Sequence, residues 1–119
     1  MEWLKITNNS EIVRIPTDEI LFVKGDGNYS CIYLCNGKEV CVMGQLHIVM
    51  EKLAQTDDSA FYRVGKSFIV NKNFIFKVNP GQQKLLLSSS RMDKDIQLKV
   101  SKEALKSLKE HLEKEGGNL

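Results

Sequence analysis

The sequence predicts a single mostly-β domain, and three observations carry that prediction. Apolar runs of strand length recur along the chain between turn residues. The hairpin dipeptide Asn36-Gly37 separates two of them. Only two segments show the i, i+3, i+4 and i+7 spacing of an amphipathic helix. At 119 residues the chain is long enough to bury one real core and small for two, so residues 1–119 are read as one domain.

The elements follow in order. Glu11 to Ile15 reads as a short strand ended by Pro16. Ile20-Leu21-Phe22-Val23 is a more apolar run, bounded by Asp18 and by the turn Gly25-Asp26-Gly27-Asn28. Tyr29 to Cys35 is rich in aromatic and β-favouring residues. Asn36-Gly37 then predicts a type I′ turn, which needs positive φ at both central residues, and Lys38 to Met43 returns as a strand.

The period changes after Gly44. Leu46, Val49, Met50 and Leu53 form one stripe of a helix from about Gln45 to Gln55, followed by a polar loop, Thr56 to Ser59. Strand-like runs resume at Phe68 to Val70, Phe74 to Val78, Lys84 to Leu87 and Ile96 to Val100, with a turn at Pro80-Gly81. Ser101 is a good N-cap with Glu103 in the first turn, predicting a second helix over 102–114 with Leu105, Leu108 and Leu112 inward. Gly116-Gly117 would stop it, and Lys109/Glu113 and Glu110/Lys114 are i,i+4 pairs on its wet side. The expected core is Leu21, Val23, Ile32, Leu46, Val49, Leu53, Phe68, Val70, Ile75, Leu105 and Leu108.

Composition narrows the function classes. No signal peptide opens the chain and no apolar run approaches a bilayer span, so a soluble, cytoplasmic protein with no membrane partner is expected. Cys31, Cys35 and Cys41 are odd in number and lack a C-x-x-C pair; they suit neither a disulfide framework nor zinc, and Cys31 and Cys35, on one face of a strand, read as small hydrophobes. The net charge of +2 is uninformative, but its distribution is not. Residues 1–60 hold 5 basic and 9 acidic side chains, whereas residues 61–119 hold 12 basic and 6 acidic. Such asymmetry suggests one end that attracts polyanions.

Reactive groups are scarce. His47 and His111 fall within the two predicted helices, His47 beside the apolar stripe and His111 next to Leu112. No HExxH, G-x-S-x-G or phosphate-binding glycine loop occurs, so no catalytic residue, cofactor, metal or small-molecule substrate is expected. Binding has better support. Arg63, Lys66 and Lys72 flank an apolar run together with Asn71 and Asn73; cations suit phosphates, and asparagine can pair with adenine. Solvated charges at the ends of a hairpin would give the same pattern.

Phe61-Tyr62-Arg63-Val64-Gly65-Lys66-Ser67-Phe68-Ile69-Val70-Asn71 resembles the signature F-x-R-[VI]-H-[RK]-S-[YF]-[LIV]-V-N of LytTR DNA-binding domains. Ile20 to Tyr29, ending in Gly27-Asn28-Tyr29, resembles the family's first long strand and loop. Gly44-Gln45-Leu46 with Leu53 resembles its central helix, Ile75 its isoleucine after V-N, and Val100-Ser101-Lys102 its closing V-S-[RK]. The resemblance spans residues 11–113 in order.

It implies a ten-stranded, mainly antiparallel fold in three small sheets, with one internal and one C-terminal helix. It also implies a bacterial transcription regulator that presents loops to successive major grooves of double-stranded DNA, two copies on direct repeats. A phosphoacceptor receiver domain or sensor is a further expected partner. Carried over by position, the DNA-binding residues are Asn28, Tyr29, Arg63, Gly65, Lys66, Ser101 and Lys102, with Arg63 serving the backbone or the loop itself. Asn71 is expected to tie down a turn. Two residues depart from the pattern. Gly65 stands where histidine is usual, and Lys102 replaces the commoner arginine, losing the fork suited to guanine. The competing reading is a protein-interaction module whose basic loops dock an acidic partner.

Overall fold

The computed structural model describes residues 2–56 and 60–115. Among them are ten strands and two α-helices. A hairpin of β1 (Trp3–Thr7) and β2 (Ile12–Pro16) comes first. β3 (Ile20–Asp26), β4 (Tyr29–Leu34), β5 (Glu39–Met43), α1 (Leu46–Ala54), β6 (Phe61–Val64) and β7 (Phe68–Asn71) follow. The chain ends with β8 (Ile75–Asn79), β9 (Lys84–Leu87), β10 (Ile96–Lys99) and α2 (Lys102–Glu113). They form a two-stranded sheet, a five-stranded sheet ordered β5-β4-β3-β7-β6, and a three-stranded sheet ordered β10-β9-β8. Every pairing is antiparallel.

The five-stranded sheet is the middle layer. One face sends Val23, Ile32, Val42 and Ile69 against Leu46, Val49 and Leu53 of α1 and against Leu4 and Ile15 of the first hairpin. The other sends Phe22, Val64 and Val70 against Leu85, Leu87 and Leu98 of the small sheet and against Leu105 and Leu108 of α2. Cores on both sides explain why Ile20 to Val23 is an unbroken apolar run: all four are buried. β4 has its inner face buried and its outer face partly open, and so alternates, with Ser30, Ile32 and Leu34 inward. Of the expected core, all but Phe68 and Ile75 are buried, and those two are half-buried against the second cluster.

Both helices fall where the spacing predicts them. α1 runs from Leu46 to Ala54, and α2 is capped by Ser101, whose hydroxyl accepts from the Ala104 amide at 3.3 Å. Lys109 and Glu113 pair at 2.7 Å; Glu110 and Lys114 form no ion pair among the described residues. Gly116-Gly117 lies outside the described residues. β1 and β6 had not been read as strands from the pattern.

The expectation for the cysteines needs correction. Cys31 and Cys41 are joined in a disulfide, with Cα atoms 4.0 Å apart, and only Cys35 is free. The cause is the turn. Leu34 O accepts from Gly37 N at 3.0 Å, Leu34 N donates to Lys38 O at 2.9 Å, and Gly37 alone takes positive φ, +89°. That is the three-residue hairpin with a glycine bulge, not the two-residue type I′ turn. The extra loop residue sets the register Cys31↔Cys41; one residue fewer would face Cys31 with Val42. Glu39 lies beside the bonded sulfurs, which as a disulfide are not thiolate ligands.

Candidate nucleic-acid interface

Antiparallel order brings two of the candidate loops, Asn28-Tyr29 and Gly65-Lys66, to one end of the five-stranded sheet. β3, β5 and β6 finish there and β4 and β7 begin there. The Gly25 amide donates to Ser67 O at 2.9 Å, joining the end of β3 to the loop before β7.

The first loop is the tight turn Gly27-Asn28 between the paired residues Asp26 and Tyr29. Gly27 has φ +62°, at the turn position where type II′ geometry needs glycine. Asn28 and Tyr29 are both exposed. The turn is not isolated: Asn28 O accepts from Gly44 N, and Asn28 Oδ1 accepts from Gln45 Nε2 at 3.3 Å. Ser30 Oγ donates to Gly44 O at 2.8 Å. Sequence reasoning had seen Gln45 only as the start of a helix. No local pattern signals a hydrogen bond to a residue 17 positions away.

The second loop is Gly65-Lys66-Ser67, closed by the pair Val64↔Phe68. Gly65 adopts φ +65°, a region open to glycine at no steric cost. Arg63 Nη2 donates to Lys66 O at 2.9 Å, so the guanidinium braces the loop backbone while the Lys66 side chain stays exposed. The third segment is the start of α2. Ser101 spends its hydroxyl on the cap, and Lys102 is exposed in the first turn. A cation there opposes the helix dipole, which costs some helix stability but concentrates positive potential. The second and third segments line one open cleft of about 940 Å³, Arg63, Gly65, Lys66 and Ser101 among its walls.

The other polar residues of the motif sort away from this end. Asn71 is buried; its Nδ2 donates to Ile20 O at 2.9 Å and its Oδ1 accepts from Asn73 N at 3.0 Å, so it ties β7 to β3 and to the following turn. Lys72 follows at the far end of β7, 2.8 Å from Glu115, and the expected grouping with Arg63 and Lys66 is therefore split. The Glu115 hydrogen bond raises the Lys72 pKa, and the Lys72 hydrogen bond lowers that of Glu115. Tyr62 donates to Glu115 and meets the His111 ring edge-on at 4.4 Å. His47 is exposed.

Fold and loops define a small β module with a basic, loop-built end. The model of the LytTr DNA-binding domain matches residues 10–113, and the chain belongs to that family. An uncharacterized response regulatory protein of Vibrio cholerae serotype O1 is 33% identical over 76 residues, 64% of this chain and 29% of the relative. The match thus spans under a third of that protein. Among solved structures, the LytTr DNA-binding domain of a Bacillus cereus protein described as a methyl-accepting/DNA response regulator superposes with a TM-score of 0.62. It covers 94% of this chain and 97% of that one at 19% identity, a likeness of fold.

Proposed function

We propose that this domain is a cytoplasmic regulator of bacterial transcription that binds double-stranded DNA sequence-specifically. It sets the Asn28-Tyr29 turn, the Gly65-Lys66 loop and the Ser101-Lys102 segment into major grooves. The observation that carries the reading is that the Asn28-Tyr29 turn and the Gly65-Lys66 loop share one end of the sheet, that Ser101 lines the same cleft as Gly65 and Lys66, and that Lys66 and Lys102 are in no ion pair among the described residues. Cations without protein partners suit phosphates, and neutral side chains at a rigid turn suit base edges. Two copies occupy direct repeats, each a monomer when free, and a receiver domain or sensor partner supplies the signal.

Duplex selection from random sequence, followed by affinity measurement at several salt concentrations, tests the proposal. The preferred duplex should bind at least about 10³-fold more tightly than random DNA. Asn28→Ala and Tyr29→Ala should cost about 1–3 kcal/mol on the preferred site and much less on random DNA. Equal binding to all duplexes, or binding only to an acidic protein, would reject specific DNA recognition.

A further inference from the structure

We propose that Met43 is a further specificity-determining residue, which with Tyr29 forms an apolar surface that reads the 5-methyl group of a thymine. The inference rests on the proposed DNA-binding function. Tyr29 and Met43 are directly opposite across β4 and β5, so their side chains leave the same face of the sheet. They are 50% and 73% exposed. The next row inward on that face is Cys31–Cys41, and the row after it holds Tyr33 and Phe22, stacked at 4.4 Å. On β4 burial decreases toward the loop end, from half-buried Tyr33 and Cys31 to exposed Tyr29, while the same face of β5, Glu39, Cys41 and Met43, is exposed throughout.

Met43 is also joined mechanically to the candidate reading turn. Its neighbours Gly44 and Gln45 both donate to Asn28, and Ser30 donates to Gly44 O. Two chain segments thus make one loop surface, and a groove that reaches Asn28 and Tyr29 reaches Met43. The chemistry selects the occupant. A thioether can neutralise no phosphate, and Asp26, exposed and opposite Tyr29 on β3, repels one. In the major groove the apolar feature is the thymine methyl, and a flexible, polarizable methionine adapts well to it.

The test is a deoxyuridine scan of the selected duplex, replacing one thymine at a time and so deleting one methyl. Wild type should lose about fourfold in affinity at one thymine, the factor expected for one buried methyl. Met43→Ala should lose about the same on the thymine duplex and be indifferent to deoxyuridine there. Met43→Leu, which keeps an apolar side chain, should retain most of the discrimination. Lys66→Ala should weaken both duplexes and leave their ratio unchanged. Because Met43 is exposed, its variants should melt with wild type. A Met43→Ala protein that keeps the full thymine preference overturns the inference. So does one weakened only on a two-repeat duplex and not on a single repeat, which would place Met43 against the neighbouring copy. If wild type binds no duplex, the DNA-binding reading itself fails; if it binds specifically but senses no methyl, only the role of Met43 does.

Discussion

Arg63 donates from Nη2 to the Lys66 carbonyl at 2.9 Å, so the strand that enters the loop also braces it. Two cations three residues apart therefore have different tasks. Lys66→Ala should weaken binding to any duplex and reduce the salt slope by about one unit, with no change in melting. Arg63→Ala removes a hydrogen bond worth about 1 kcal/mol at an exposed site. It should lower both the melting temperature and the specific affinity. Arg63→Lys keeps the charge and loses the planar fork, and should resemble Arg63→Ala more than wild type. If Arg63→Lys binds as wild type does, bracing is not what Arg63 contributes.

Gly65 occupies φ +65° where the family usually places histidine. An added Cβ would stand 3.4 Å from the Ala104 methyl, at the near edge of ordinary contact. The cost is in the backbone, about 1 kcal/mol for a non-glycine residue in the left-handed region. Gly65→His should accordingly lower stability by about that amount. It should strengthen binding to the preferred site by restoring a donor and acceptor beside the DNA. Urea melts and binding isotherms measure the two effects separately. A folded Gly65→His protein with unchanged binding would remove this position from the interface, and one with weaker binding would show that histidine supplies no useful contact there.

How far the sequence could be read depends on the range of the interaction. Ile20 to Val23 and the stripe Leu46, Val49 and Leu53 were legible because burial imposes a local period on them. Asn71 was legible as a turn tie, since its side chain caps the next turn, although its bond to Ile20 was not. β6 was obscured because Tyr62 and Arg63 interrupt its buried Phe61 and Val64. Asn36-Gly37 marked a hairpin without revealing whether two or three residues form the loop, and the choice moves every partner by one. The junction of Asn28 with Gly44 and Gln45 is a tertiary contact with no periodic trace. The site roles of Asn28, Tyr29, Gly65, Ser101 and Lys102 came from family resemblance, whereas Arg63 and Lys66 also stood out as cations beside an apolar run.

Glu115 accepts from Lys72 at 2.8 Å and from Tyr62 at 3.2 Å, fastening the segment just after α2 to β6 and to the turn that follows β7. The Lys72 hydrogen bond, more than any other effect, holds the Glu115 pKa below that of a free carboxylate. Stability from this contact is present above the ordinary carboxylate pKa and is lost as pH falls through the depressed value. The raised Lys72 pKa gives the opposite limit, with loss as pH rises through it. The Glu115 side-chain carboxyl carbon followed by NMR should titrate below the normal carboxylate range. Glu115→Gln should abolish that acid transition. An unshifted Glu115 titration would show that the fastening is not formed in solution.

Cys31 and Cys41 close a hairpin whose ends are 10 residues apart. In the chain-entropy description a loop of this size gives the folded state about 3 kcal/mol at most, by restricting the unfolded chain. The hairpin has supports of its own: the Leu34–Lys38 and Gly37–Leu34 hydrogen bonds, and Ile32, Leu34 and Val42 in the core. Reduction should therefore lower the urea midpoint by a share of that amount without unfolding the domain. Cys41→Ser, with or without reductant, should melt as reduced wild type does. Thiol counting should find one reactive cysteine, Cys35, in the denatured oxidised protein and three after reduction. Three free thiols before reduction would show the pair open, and identical midpoints in both redox states would show that the bond contributes nothing to stability.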